Sequence, residues 1–210
     1  MTHSLSADDL VEELSIRRVR ETWAFGRDLG EWDALAACFH PQASITVSWY
    51  SGPATGFVER SRQARAAMKP QERNKHLLGN MRVACAGGRA TLETDVQICV
   101  RESIDGYLLD YTSYARFFDL MLKHDGVWKI FKASCIYDKD RLDPVVPGAV
   151  PPAFYEAVPL SGAESGFAYM RFRQGKRGRT VPAGIVLGGS PAEQALRDEG
   201  LRWLTGAQPQ

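Results

Sequence analysis

Two residues in this chain are well suited to moving a proton, Asp28 near the end of a helical stretch and His76 at the start of a strand-like one. A histidine titrates near neutrality and can take a proton at pH 7. A carboxylate bonded to its other ring nitrogen fixes the tautomer and stabilises the imidazolium. Spacing alone does not bring the two together, and a histidine beside Lys75 at a strand start is also an ordinary exposed residue. The four histidines (His3, His40, His76, His124) form no HxH or HExxH pattern. Cys38, Cys85, Cys99 and Cys135 form no CxxC pair. Metal catalysis is therefore not indicated, and most of the cysteines read as small buried thiols.

The elements that must carry these residues are legible from period and punctuation. Ser6 opens Ser-Ala-Asp-Asp, an N-cap with acids in the first turn. Ile16, Val19, Trp23 and Gly26 share one face of a helix that should end near Asp28, with Gly30 as its stop. Trp32, Leu35 and Phe39 mark a second short helix before Pro41. Ala43–Trp49 alternates as a strand, Ser51-Gly52-Pro53 turns, and Phe57, Ser61, Ala64 and Met68 predict a third helix. From Lys75 the period changes to two. Lys75–Cys85, Arg89–Arg101, Tyr107–Leu122 and Val127–Tyr137 read as a four-strand meander, with Asp105-Gly106 and Asp125-Gly126 as hairpin turns.

This order predicts an α+β fold, a cone-like curved antiparallel sheet wrapped around N-terminal helices (an α+β barrel), over residues 1–142. A pocket should open at one end. The Pro- and Gly-rich stretch from Asp143 to Pro152 reads as a linker. Residues 143–210 form a C-terminal extension that packs on the domain or on a neighbouring subunit. It is irregular until Ser190-Pro191-Ala192-Glu193 caps a final helix, which should bury Leu196, Trp203 or Leu204.

Composition narrows the partners. A net charge of +1 gives no global field for nucleic acid or an anionic membrane. No apolar run approaches the roughly 18–20 residues of a membrane span. The N-terminus lacks a basic region followed by an apolar core, so a cytoplasmic location is the default expectation. The run from Arg171 to Arg179 could bind phosphate or RNA, or be a solvated tail strand; the tail strand is the expectation. The aromatic residues Trp23, Trp49, Phe57, Tyr111, Phe117, Phe118 and Phe131 either line an apolar pocket or fill the core. Asn80, four residues after His76, would share its strand face in an unbroken strand.

Three blocks in this order resemble the nuclear transport factor 2-like superfamily, in its SnoaL-like and scytalone dehydratase-like branch. They are Trp23–Phe39, Lys75-His76-Leu-Leu-Gly-Asn80-Met-Arg-Val, and Asp125-Gly126-Val-Trp128-Lys-Ile130. The resemblance spans roughly residues 8–141. It implies that Asp28 and His76 form a dyad in which His76 removes a proton from carbon without any cofactor. The implied activity is a lyase (dehydratase-type elimination) or an isomerase acting on a small, largely apolar cyclic, polyketide or steroid-like molecule. It places a leaving-group assistant near Lys132 on the last strand, where relatives carry arginine. It also implies a tyrosine that polarises a carbonyl, for which Tyr50 is the preferred candidate among Tyr50, Tyr107, Tyr111, Tyr114 and Tyr137. With Trp23, Trp49, Asn80, Tyr111, Phe117 and Phe131 these complete the expected substrate-binding set. The resemblance implies a homodimer or homotrimer. Its alternatives are a non-catalytic partner, like the small subunit of a ring-hydroxylating dioxygenase, and a small-ligand-binding protein.

Overall fold

The computed structural model describes residues 6–156, 158, 160, 162 and 165–208. Helix α1 (Ala7–Leu29) starts as its cap predicts. The Ser6 hydroxyl accepts the Asp9 N–H at 3.1 Å, and the Asp9 carboxylate accepts the Ser6 N–H at 3.0 Å. It stops at Gly30, whose φ of 81° lets its N–H return to the Gly26 carbonyl at 3.0 Å. Ile16, Trp23 and Gly26 are buried along one stripe. Helix α2 (Trp32–Ala37) is shorter than its pattern predicts, because Phe39 already belongs to strand β1 (Phe39–Val47). Strand β2 (Tyr50–Pro53) pairs with β1, so the chain reverses at Ser48-Trp49 and the residues expected to turn are strand. Helix α3 (Ala54–Ala66) follows.

The meander is β3 (Arg73–Ala86), β4 (Arg89–Ile104), β5 (Tyr107–His124) and β6 (Val127–Pro144). Its Asp-Gly turns have both residues at positive φ, 50° and 88° at 105–106 and 50° and 77° at 125–126, the backbone that matches strand twist. The sheet order is β2-β1-β6-β5-β4-β3. It is curved, open and mixed rather than wholly antiparallel, because β1 joins β6 in parallel. That pairing brings the α1–β1 end of the chain against the last long strand. Trp23, Ile45, Phe57, Leu92 and Phe117 fill the space between helices and sheet.

Among the register shifts of the sheet, two bear on the expected site residues. In β3 the register against β4 shifts between Leu78 and Met81, around Gly79 and Asn80. In β6, Leu120 pairs with Lys132 and Met121 with Ile130, leaving Phe131 as the extra residue of a bulge. Trp128 and Ile130 face the core before it, and Ala133, Cys135 and Tyr137 after it.

The extension is more ordered than its sequence pattern suggests. The basic run is mostly a helix, α4 (Ala168–Lys176), and not a tail strand. Met170, Arg173 and Gln174 fall at i, i+3 and i+4 and are buried on one face. Strand β7 (Val186–Leu187) pairs in parallel with Ile136 and Tyr137 of β6. Helix α5 (Pro191–Leu204) is capped by the Ser190 hydroxyl, which accepts the Glu193 N–H at 3.3 Å. It covers the outer face of the sheet, where Leu196 and Trp203 pack with Phe118, Leu120 and Ile136.

Candidate active site

The end of α1 points its last buried carboxylate at β3. Asp28 Oδ1 lies 2.6 Å from His76 Nδ1, and Asp28 Oδ2 accepts the His76 backbone N–H at 2.8 Å. Both contacts hold the same residue, so ring and main chain are fixed together. A carboxylate only accepts hydrogen bonds, so the Nδ1 proton donates to it and Nε2 carries the lone pair. Nε2 has no hydrogen-bond partner among the described residues. The Trp23 ring meets the imidazole edge-on at 5.2 Å, and Phe117 lies 6.5 Å away. Burial pushes the His76 pKa below the free value of 6.5, against the hydrogen bond and charge of Asp28. The imidazole is therefore neutral at pH 7, the form a base needs.

His76, supported from behind by Asp28, lines a cavity of about 80 Å³ inside the cone. This is small beside the ~300–1,000 Å³ of drug-sized ligand pockets. Trp23, Trp49 and Phe117, expected as substrate-binding residues, line it, together with Phe57, Val47 and Ile98. Behind the Trp23 and Phe117 walls, Arg20 lies 4.7 Å and 4.2 Å from the two ring centroids and forms a buried two-pronged pair with Asp119.

Five other expected residues are elsewhere. The Tyr50 hydroxyl donates to the Pro53 carbonyl at 2.7 Å and braces the β1–β2 hairpin. Asn80 is turned outward by the β3 irregularity and donates to Asp95 Oδ2 at 3.1 Å. The asparagine that lines the cavity is Asn74, two residues before His76 on the same strand face. Among the described residues its side-chain amide donates to Met68 Sδ, at 3.8 Å. Tyr111 is packed in the core beneath Arg173, with its hydroxyl 3.4 Å from Asp140 Oδ2. Phe131 and Lys132 both lie on the outer face because of the β6 bulge. Phe131 stacks on Trp203 at 5.2 Å, and Lys132 Nζ pairs with Glu199 at 2.6 Å.

Sequence reasoning missed the polar part of the wall. Arg27 lies four residues after Trp23, one helical turn along the same stripe, and this spacing was a usable signal. Met170, Arg173, Gln174, Arg177 and Arg179 come from the extension, and only the fold brings them to the cavity. Arg173 and Arg177 both pair with the buried Glu102 of β4, fastening α4 across the mouth of the cone. Among the described residues, no group of three or more His, Cys, Asp and Glu side chains is placed to hold a metal ion. No helix among them is long and apolar enough to cross a membrane.

A mixed sheet curled over a long helix, with a pocket inside, defines a nuclear transport factor 2-like fold. The chain belongs to the SnoaL-like domain family, whose profile matches residues 8–134. It is 25% identical over 169 residues to pea pathogenicity protein 2 of Fusarium vanettenii, covering 78% of this chain and 70% of that protein. It is 30% identical over 152 residues to an uncharacterised protein of Emericella nidulans, covering 69% and 63%. Among solved structures, a candidate scytalone dehydratase from Novosphingobium aromaticivorans superposes with a TM-score of 0.57 at 19% identity, over 70% of this chain and 97% of that one. A hexachlorocyclohexane dehydrochlorinase (LinA, type 2) superposes with a TM-score of 0.56 at 17% identity, over 69% and 97%. These superpositions show a shared fold.

Proposed function

We propose that this protein is a cofactor-independent lyase or isomerase whose first step is removal of a carbon-bound proton by His76. The observation that carries this reading is the 2.6 Å contact between Asp28 Oδ1 and His76 Nδ1, with His76 in the wall of a cavity that has one aromatic and one polar side. Nε2 takes the proton from carbon adjacent to a carbonyl. Asp28 holds the Nδ1–H tautomer beforehand and the imidazolium afterwards. Asn74, on the same strand face, supplies an amide donor toward oxygen charge that develops in the enolate. The proton then returns at another carbon (isomerisation), or a β-leaving group departs (elimination). The names of the two superposed structures, a dehydratase and a dehydrochlorinase, fit elimination. The cavity volume supports a compact substrate.

The test is turnover, and exchange of substrate C–H for solvent deuterium, across a panel of small hydroxy- and halo-carbonyl compounds. On any accepted substrate, His76→Ala should lower kcat by about 10²–10⁴-fold, the usual contribution of positioned proton transfer. Asp28→Asn should lower it by about a hundredfold or more, because the ring loses its tautomer support. If both variants fold and keep the full rate, the reading is wrong.

A further inference from the structure

Two arginines in the cavity wall, Arg27 and Arg179, form no ion pair among the described residues, although Asp28 and Glu102 attract them from a distance. Arg27 is only 7% exposed. Its guanidinium lies 5.9 Å from the centroid of the Trp49 ring. Arg179, half-buried beyond α4, lies 6.0 Å from the same ring. Neither guanidinium makes a hydrogen bond or ion pair among the described residues; the Arg179 backbone N–H donates to the Gln174 carbonyl at 2.9 Å. The carboxylates around the cavity are held elsewhere. Asp28 binds His76, Glu102 binds Arg173 and Arg177, and Asp110 binds Arg101. Glu72 accepts the backbone N–H groups of Lys69 at 3.1 Å and Ser103 at 3.3 Å.

A buried cation without a partner is costly, and two that face one space are costlier. Burial, the first cause, lowers the Arg27 pKa to about 10, with Arg65 and Arg179 adding repulsion against the attraction of Asp28. Burial lowers that of Arg179 as well, helped by Arg177 and Arg173 against the attraction of Glu102. An anion between them would relieve both. The guanidinium fork matches a carboxylate through paired N–H donors. Val47, Phe57 and Met68 in the adjoining wall suit the hydrocarbon part of an organic acid better than a bare inorganic anion.

We propose that the substrate carries a carboxylate, seated between Arg27 and Arg179 beside Trp49, so that its carbon skeleton lies toward His76. This rests on the reading of the cavity as a proton-transfer site and adds a substrate class to it. It also gives the basic run of the extension a purpose: Arg173 and Arg177 fasten α4 to Glu102, and Arg179 is left for ligand.

The experiment is calorimetric titration of the full-length protein with acetate and benzoate, against their neutral counterparts acetamide and benzamide, with inorganic phosphate as a third arm. The acids should bind at least about tenfold more tightly than the amides. Arg179→Gln, at a half-buried position, should remove most of that preference with an unchanged circular dichroism spectrum. Arg27→Gln should do the same where it folds, and His76→Ala should leave the preference intact. Equal binding of acid and amide, no binding of either, or an unaltered preference in Arg179→Gln overturns the proposal. Phosphate binding more tightly than benzoate overturns the carboxylate assignment. The two readings separate cleanly. Arginine-dependent acid binding with full turnover in His76→Ala removes the dyad and leaves the anion site. Turnover that needs His76 while acids and amides bind alike does the reverse.

Discussion

His76 gives the site a pH signature with a definite sign. Its folded pKa lies below 6.5, and only the neutral ring accepts a proton. With His76 as the proposed base, kcat/KM should fall with unit slope on acidification, at an inflection below 6.5. The same shift acts on stability. As pH falls past 6.5, the unfolded histidine binds a proton before the folded one does, so this contribution to stability is lost on acidification. A rate profile and a series of urea midpoints check the two halves of the prediction. Asp119 makes a separate case. With both side chains of the Arg20–Asp119 pair fully buried, Asp119→Ala leaves a cation enclosed between aromatic rings. The expected loss is about 3–5 kcal/mol by denaturant titration. The sequence marked Asp28 and His76 as chemical candidates, but Arg20 and Asp119 are far apart along the chain, and no local pattern couples them.

At the level of elements, α5 shows how close packing reverses a propensity. Gly200 sits inside this helix, where alanine is normally favoured by about 1 kcal/mol. Here a Cβ would come within 2.7 Å of Phe118 Cζ and 3.2 Å of Thr91 Cγ2. Gly200→Ala should lift the helix from the sheet and destabilise the protein by about 1–3 kcal/mol, read as a lower melting temperature. Which strands and helices exist was largely legible, because caps, Asp-Gly turns and alternation are local signals. Which way β6 faces was not. One extra residue at Phe131 exchanges inside for outside, and it moved Lys132 from the expected pocket to an ion pair beneath α5. Asn80 and Asn74 teach the same lesson on β3. A bulge is set by pairing with the neighbouring strand, which a single strand's pattern does not contain.

For the whole molecule, the extension is part of the core. It was legible as a separate stretch with one good helix, yet its two helices serve opposite faces: α4 plugs the cone, and α5 seals the outer sheet. A chain ending at Pro144 should expose Phe118, Leu120 and Ile136 and bind anilinonaphthalene sulfonate more strongly than the full chain, read as fluorescence enhancement. The wall that α4 contributes also has a consequence in time. Protein synthesis proceeds from the N-terminus, and the helix bearing Asp28 and the strand bearing His76 emerge before residue 143. His76 and Asp28 can thus be in place while the chamber around them still has no roof. Water reaches the imidazole freely at that stage, and the nascent sheet carries an uncovered apolar face. The wall is complete only once residues 170–179 are made, so a product ending before Ala168 would hold the Asp28–His76 pair and lack the roof over it.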